Sequence, residues 1–218
     1  YLDFYQEEIE IMEGENVLNA ELVYSGFPSG LVGYWTFDNP NNLVGASVGN
    51  DLSLVGTHAP AEGPEEGDGA VNIGVGSFYR CYHDIEANGY YSNPDWVNIF
   101  TIVMDIKIPL VGQWYTIYQT NWPNNNDGDA FVNPEGQVGV SDTGYSLYSL
   151  IPGEWYRLVI SVNLGVHYDY YLDGQLLHNG GPQGFEGRFS LYPANDANQV
   201  LFFADNDGDD CDDCAGVP

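Results

Sequence analysis

Several segments between residues 31 and 204 alternate apolar and polar residues, as in 69–76 and 151–163, or form short apolar runs that end at turn residues, as in 99–109, and both patterns are typical of β-strands. The pattern predicts strands in the segments 31–42, 51–56, 69–76, 99–109, 113–120, 151–163, 166–178 and 199–204. It also predicts a hairpin around Pro134 to Gly136 and a tight turn at Asp173-Gly174. Helical spacing is absent from every long window. The segments 57–69 and 121–130 are rich in Pro, Gly, Asn and acidic residues, which predicts surface loops.

Composition supports the same class of fold. The 218 residues include 27 Gly and 17 Tyr, and aromatic residues make up 15% of the chain, which suits strands joined by tight turns. A chain of this length is large enough for one substantial core. We therefore expect one all-β domain of two antiparallel sheets, preceded by an N-terminal arm.

The charge of the chain excludes several partners. Asp and Glu number 32 and Lys and Arg only 4, so the formal net charge is −28. Such a surface repels nucleic acids, anionic membranes and acidic glycans. The acidity is explained equally well by solubility in water or brine and by divalent cations that neutralise clustered carboxylates. No apolar run reaches 18 residues, so we expect no membrane insertion.

Two features favour an extracellular or cell-surface protein of bacterial origin. The chain begins at Tyr1 without a basic and apolar leader, as a secreted protein does once its export signal has been removed. None of its asparagines lies in an Asn-x-Ser/Thr acceptor, so eukaryotic N-glycans are not expected.

The three cysteines lie at positions 81, 211 and 214. Cys211 and Cys214 flank two aspartates, and acidic neighbours raise the pKa of a thiol, which argues against a redox motif. A local disulfide between Cys211 and Cys214 is the first expectation. Pairing of Cys81 with one of them is the second, and a zinc site is a weak third.

The strand sequences GYWTFD, FTIVMDIKI, GEWYRLVISV, YYLDGQLL and VLFFADNDGDD resemble the laminin-G-like, concanavalin A-like jelly rolls of the lectin and glucanase superfamily. The resemblance covers about residues 31–210. It implies a jelly-roll sandwich over residues 31–218 with an acidic C-terminal loop, after an arm at residues 1–30 that contains a possible exchanged strand and a linker. Lectin members of this group often bind glycans on the concave sheet.

The stretch QEEIEIMEGE, residues 6–15, is similar to the strand that carries the catalytic carboxylates of β-glucanases in this superfamily, which makes a retaining β-glucanase a remote alternative. Those enzymes need two carboxyls about 5–5.5 Å apart on a rigid sheet. Here Glu8, Glu10 and Glu13 precede the whole domain, and no other nucleophile or acid–base pair is evident. We expect no catalysis.

Clustered oxygen ligands predict a calcium site. The segment 204–213 places Asp205, Asp207 and Asp209 at alternate positions, followed by Asp212 and Asp213, and calcium loops use this spacing. A weaker candidate comprises Asn125, Asp127 and Asp129. The alternative is a solvated acidic tail.

Carbohydrate is a second expected ligand. Trp122 and Tyr145 could stack on a sugar ring while Asn124 and Asp127 accept hydroxyl hydrogens. Packing on the strands is the competing role for each aromatic residue.

Self-assembly is the third expectation. The segment 1–12 is strand-like and carries the apolar or aromatic residues Leu2, Phe4, Tyr5, Ile9 and Ile11. The strand that follows the acidic loop in laminin-G-like domains is missing here. The arm could fill that gap in its own domain, giving a monomer, or in a neighbouring copy, giving a head-to-tail fibre. We expect the fibre, a structural or adhesive homopolymer, and take a monomeric calcium-dependent lectin as the alternative.

Overall fold

Two antiparallel sheets enclose the core of the protein in a computed structural model that describes residues 30–88, 95–184, 188–194 and 196–206. The larger sheet has the strand order β1-β4-β13-β6-β7-β8-β9, and the smaller has the order β12-β11-β10-β5. Strands β2 and β3 form a separate pair. The strands are β1 Ser53–Val55, β2 His58–Glu62, β3 Gly69–Ile73, β4 Phe78–Tyr82, β5 Ile99–Ile106, β6 Tyr115–Gln119, β7 Ala130–Val132, β8 Gln137–Val140, β9 Gly144–Ser149, β10 Tyr156–Asn163, β11 His167–Leu172, β12 Gln175–Asn179 and β13 Gln199–Phe202. No helix occurs in these described ranges, so the all-β antiparallel sandwich is confirmed.

The core lies between the two sheets and follows the alternation of the sequence. In β10, Tyr156, Leu158 and Ile160 are buried, while Arg157, between Tyr156 and Leu158, is exposed. Each fully buried aliphatic side chain of this kind contributes about 1.5–3 kcal/mol of hydrophobic free energy. The alternation therefore sets which face of each strand points to the core.

Buried tyrosines form the polar part of the core. The hydroxyl groups of Tyr118 on β6 and Tyr168 on β11 are hydrogen-bonded to each other across the two sheets. Tyr168 also donates to the carbonyl of Asp129 at 3.0 Å. Burial raises the pKa of both phenols well above the usual value, so they stay neutral and bury their rings without leaving the hydroxyls unpaired.

Most predicted strands are present, and two predictions were wrong. The segment 31–42 forms only an isolated bridge between Tyr34 and Val48, because no neighbouring strand forms a ladder with it and Phe37 turns the backbone with φ of 59°. The predicted loop 57–69 instead contains β2. Pro60 is tolerated there because β2 has a partner on one side only.

Cys81 lies on β4 with its side chain in the core, 5% exposed. Burial raises the pKa of its thiol to about 12, so it is an unreactive thiol at neutral pH. Its suggested partners Cys211 and Cys214 lie outside the described residues. So do Glu8, Glu10 and Glu13 and the assembly residues Leu2, Phe4, Tyr5, Ile9 and Ile11.

Candidate functional site

The predicted binding loop between β6 and β7 folds over the outer face of the larger sheet. The buried Gln119 amide donates to the Oδ1 atom of Asn124 at 3.1 Å and to the carbonyl of Asn126 at 2.7 Å. Arg80 on β4 donates to the carbonyl of Trp122 at 2.8 Å. The loop is therefore tied to the sheet on its β4 side, and Asn124 is already engaged within the protein.

The structure does not bring the predicted sugar-binding residues into one subsite. Trp122 lies towards β4, whereas Tyr145 is on β9 at the opposite edge of the sheet. Three inter-strand spacings between β6 and β9 amount to about 14 Å, more than one sugar ring spans. Tyr145 packs edge-on against Trp114, with ring centroids 6.0 Å apart. Asp127 is exposed on the loop.

The weaker metal candidate is split between surface and core. Asn125 and Asp127 are exposed, but Asp129 is 1% exposed and forms an ion pair with Arg188 at 3.7 Å. The Asp129 carboxylate also accepts the Thr120 N–H. Burial raises the pKa of Asp129 to about 6, although the Thr120 hydrogen bonds and the charge of Arg188 act in the opposite direction. The Asp129 carboxylate is therefore engaged inside the protein, with Thr120 and Arg188.

Only the first residue of the stronger calcium candidate is within the described chain. Asp205 accepts a hydrogen bond from the Thr116 hydroxyl at 3.4 Å and from the N–H of Asn206 at 2.8 Å. The other predicted ligands, Asp207, Asp209, Asp212 and Asp213, lie outside it. Across the described ranges, no three His, Cys, Asp or Glu side chains form a group that could hold a metal ion.

A cleft of about 230 Å³ opens on the smaller sheet, where β5 and β10 pair. Its lining comprises Pro64, Glu65, Asp105, Trp155, Tyr156, Arg157 and Asp173. The sequence pattern did not indicate this site, since its residues come from four separate segments of the chain.

Arg157 organises the cleft. The register of β5 and β10 places it directly opposite Asp105. Its Nε and NH2 groups donate to the two carboxylate oxygens of Asp105 at 2.8 and 2.7 Å, a bidentate pair that raises the pKa of the guanidinium. The Arg157 side chain remains 63% exposed and is part of the lining of the cleft.

Asp173 and Trp155 complete the walls. Asp173 begins the tight turn to β12 with φ of 49°, and its carboxylate accepts the backbone N–H of Arg157 at 2.8 Å. This hydrogen bond fixes the turn beside the guanidinium. Trp155 is half-buried, and the Lys107 ammonium lies 4.6 Å from the centre of its ring. Lys107 therefore contacts one face of the indole by a cation–π interaction.

The cleft combines an aromatic surface with hydrogen-bonding groups that have free capacity. A guanidinium has five N–H donors, of which Asp105 takes two, and the Glu65 and Asp173 carboxylates are acceptors. Such a set can bind a polyhydroxylated ligand. One feature of the sequence could have identified the cleft, since Lys107 and Arg157 are two of only four cationic side chains.

The part of the chain that the structure describes contains no helix long and apolar enough to cross a membrane.

Comparison with known proteins shows the fold. No family profile matches the chain, and no curated protein matches it. Among solved structures it is similar to domain 4 of AbnA, a GH43 extracellular arabinanase from Geobacillus stearothermophilus, determined in complex with arabinotriose. The TM-score is 0.52 and the identity 18%, over 80% of this chain and 85% of that domain. This chain thus has a two-sheet antiparallel β-sandwich fold, and membership of the laminin-G-like, concanavalin A-like group stays a prediction.

Proposed function

We propose that this protein is a non-catalytic, extracellular carbohydrate-binding module whose sugar site is the cleft of Trp155 and Arg157. The observation that carries the proposal is the presence of a half-buried indole and a guanidinium held by Asp105 in the lining of one shallow cleft. An aromatic ring offers an apolar face to the C–H face of a sugar, while a few fixed polar groups orient its hydroxyls.

The structural neighbour supports the class of ligand and the location. Domain 4 of the arabinanase was determined with arabinotriose, and that enzyme is extracellular. A shared β-sandwich fold alone does not show that two proteins bind the same ligand. The polar and aromatic lining of the cleft in this chain is the additional support for a carbohydrate ligand.

The chemistry of the cleft favours binding over hydrolysis. A retaining glycosidase needs two carboxyls about 5–5.5 Å apart, one of them free to act as a nucleophile. Both oxygens of Asp105 accept hydrogen bonds from Arg157, and one oxygen of Asp173 accepts a backbone N–H. Asp105 is therefore fully engaged with Arg157, and Asp173 has one carboxylate oxygen left for a ligand hydroxyl.

Substitution of the aromatic wall tests the proposal. Trp155→Ala should weaken binding of a neutral oligosaccharide such as arabinotriose by about tenfold or more, since one sugar-stacking surface is lost. The measurement is titration calorimetry on the intact chain with a panel of neutral trisaccharides. The same substitution at Trp122 tests the competing loop site. The proposal is wrong if Trp122→Ala abolishes binding and Trp155→Ala leaves it unchanged.

We propose strand exchange as a second function, because no described strand covers the outer edge of β5 in the smaller sheet. Within the described residues, β5 pairs only with β10. The Asn88 side-chain amide accepts a hydrogen bond from the Ile99 N–H and donates one to the Ile99 carbonyl, both at 2.8 Å. A neighbouring strand would make the same two hydrogen bonds. The outward backbone groups of Ile99 recur at Thr101, Val103 and Asp105, because a strand has a period of two.

This edge has the properties of an acceptor for an extended segment. Val103 is 59% exposed and Ile99 is 43% exposed, so an added strand would find apolar side chains as well as free hydrogen-bonding groups. The strand-like segment 1–12 of a neighbouring copy is the donor that we propose. Head-to-tail exchange of this kind would produce a fibre of identical subunits.

A further inference from the structure

We infer that the cleft selects neutral glycans over glycans that carry carboxylates, and that Asp105 is the residue that sets this selectivity. The inference rests on the proposed carbohydrate-binding function. It concerns the edge of Arg157 that Asp105 occupies.

Arginine recognises a carboxylate through a pair of parallel N–H donors, and Arg157 has already used such a pair. Asp105 takes its Nε and NH2 donors at 2.8 and 2.7 Å. A uronic acid in the cleft would therefore find no free bidentate edge on Nε and NH2. The N–H pair on the NH1/NH2 edge remains, but Asp105 already neutralises the charge of the guanidinium behind it.

The charges around Arg157 act in the same direction. Glu65, Asp105 and Asp173 line the cleft, against the cations Arg157 and Lys107 next to it. Glu65 lies close enough to raise the pKa of Arg157. The immediate balance is one excess negative charge, so an anionic ring is repelled while a neutral sugar meets acceptors for its hydroxyl hydrogens.

Asp105 is suited to such a role because it contributes little to the fold. Its ion pair with Arg157 lies at the surface, with side-chain exposures of 30% and 63%. Exposed pairs contribute about 0–1 kcal/mol to stability. Removal of the carboxylate should therefore free the guanidinium without unfolding the sheet.

The test compares wild-type protein with Asp105→Ala and a matched control, Asp142→Ala. Asp142 also forms an exposed ion pair with an arginine, Arg188, at 3.3 Å, but it is not part of the cleft. Arabinotriose and trigalacturonate are the neutral and anionic probes, measured by titration calorimetry, with thermal melting as the check on folding.

We expect wild-type protein to bind arabinotriose and not trigalacturonate. Asp105→Ala should gain trigalacturonate affinity by about tenfold or more, the effect of one new charge-assisted pair. Asp142→Ala should show a smaller gain in trigalacturonate affinity, because it only makes the net charge one unit less negative. Adding Arg157→Met to Asp105→Ala should abolish the gain.

Two results would overturn the inference while the proposed function stands: equal binding of both probes by wild-type protein, or equal gains in the two alanine variants. If wild-type protein binds no neutral sugar but Asp105→Ala still gains trigalacturonate binding, the proposed function is wrong and the role of Asp105 stands.

Discussion

At the scale of single residues, the four cations of this very acidic chain all have specific structural partners. Their number is visible in the sequence, but their partners are not, because each is brought close by the pairing of distant strands. The contacts are Arg80 with the Trp122 carbonyl, Lys107 with the Trp155 ring, Arg157 with Asp105, and Arg188 with Asp129 and Asp142.

Asp129 should make the stability of the protein depend on pH. Burial raises the pKa of its carboxyl to about 6 in the folded state, above the usual 3.8. The folded state therefore binds the proton more tightly, and the stabilisation is fully present below pH of about 4 and lost as the pH rises through about 6. Relative to Asp129→Asn, the wild-type free energy of unfolding should fall by on the order of 1–3 kcal/mol over this range.

Urea denaturation of both proteins between pH 4 and 8 gives that difference. Asp142→Asn is the control, since Asp142 is an exposed partner of the same Arg188. Parallel pH profiles for wild type and Asp129→Asn would show that Asp129 does not titrate in this way.

At the scale of strands, alternation in the sequence predicted the elements well where a partner strand exists. The apolar segment that became β5 was predicted, and the segments that became β10 and β11 alternate fully in burial. Residues 31–35 also alternate between half-buried and exposed but form no ladder, because pairing depends on residues far away in the chain. Strands β4 and β9 were not predicted.

The cleft could not be predicted for the same reason. The position of Asp105 opposite Arg157 depends on the register of β5 and β10, and Glu65 arrives from a third segment. The predicted Asp173-Gly174 turn is present. Its place in the cleft depends on Arg157, which is distant in sequence and donates its backbone N–H to the Asp173 carboxylate.

The open edge of β5 leads to a prediction about assembly. Thr101→Pro removes an N–H group that points away from β10, so the domain should fold but accept an added strand poorly. Deletion of residues 1–14 should also prevent polymerisation, and a peptide of that sequence should bind the shortened protein unless Thr101→Pro is present. Electron microscopy and light scattering measure the outcome. Monomers in all variants and in wild type would refute strand exchange.

At the scale of the whole molecule, the charge of −28 destabilises the compact state by self-repulsion. We propose that calcium relieves this repulsion through Asp205 and the aspartates that follow it. Calcium at about 100 times its dissociation constant would add about 2.7 kcal/mol, which corresponds to a rise in Tm of about 5 °C or more for a chain of this size. Identical melting curves in calcium, magnesium and EDTA would rule this out.

The most direct measurement of the central claim is nuclear magnetic resonance of the tryptophan indole N–H groups during titration with arabinotriose. The five tryptophans report on separate parts of the molecule, with Trp155 in the cleft and Trp122 on the β6–β7 loop. A sugar bound in the cleft should shift the Trp155 resonance in a saturable manner and leave the Trp122 resonance unchanged. A saturable shift of Trp122 without a shift of Trp155, or no shift of any indole with any neutral trisaccharide, would contradict it.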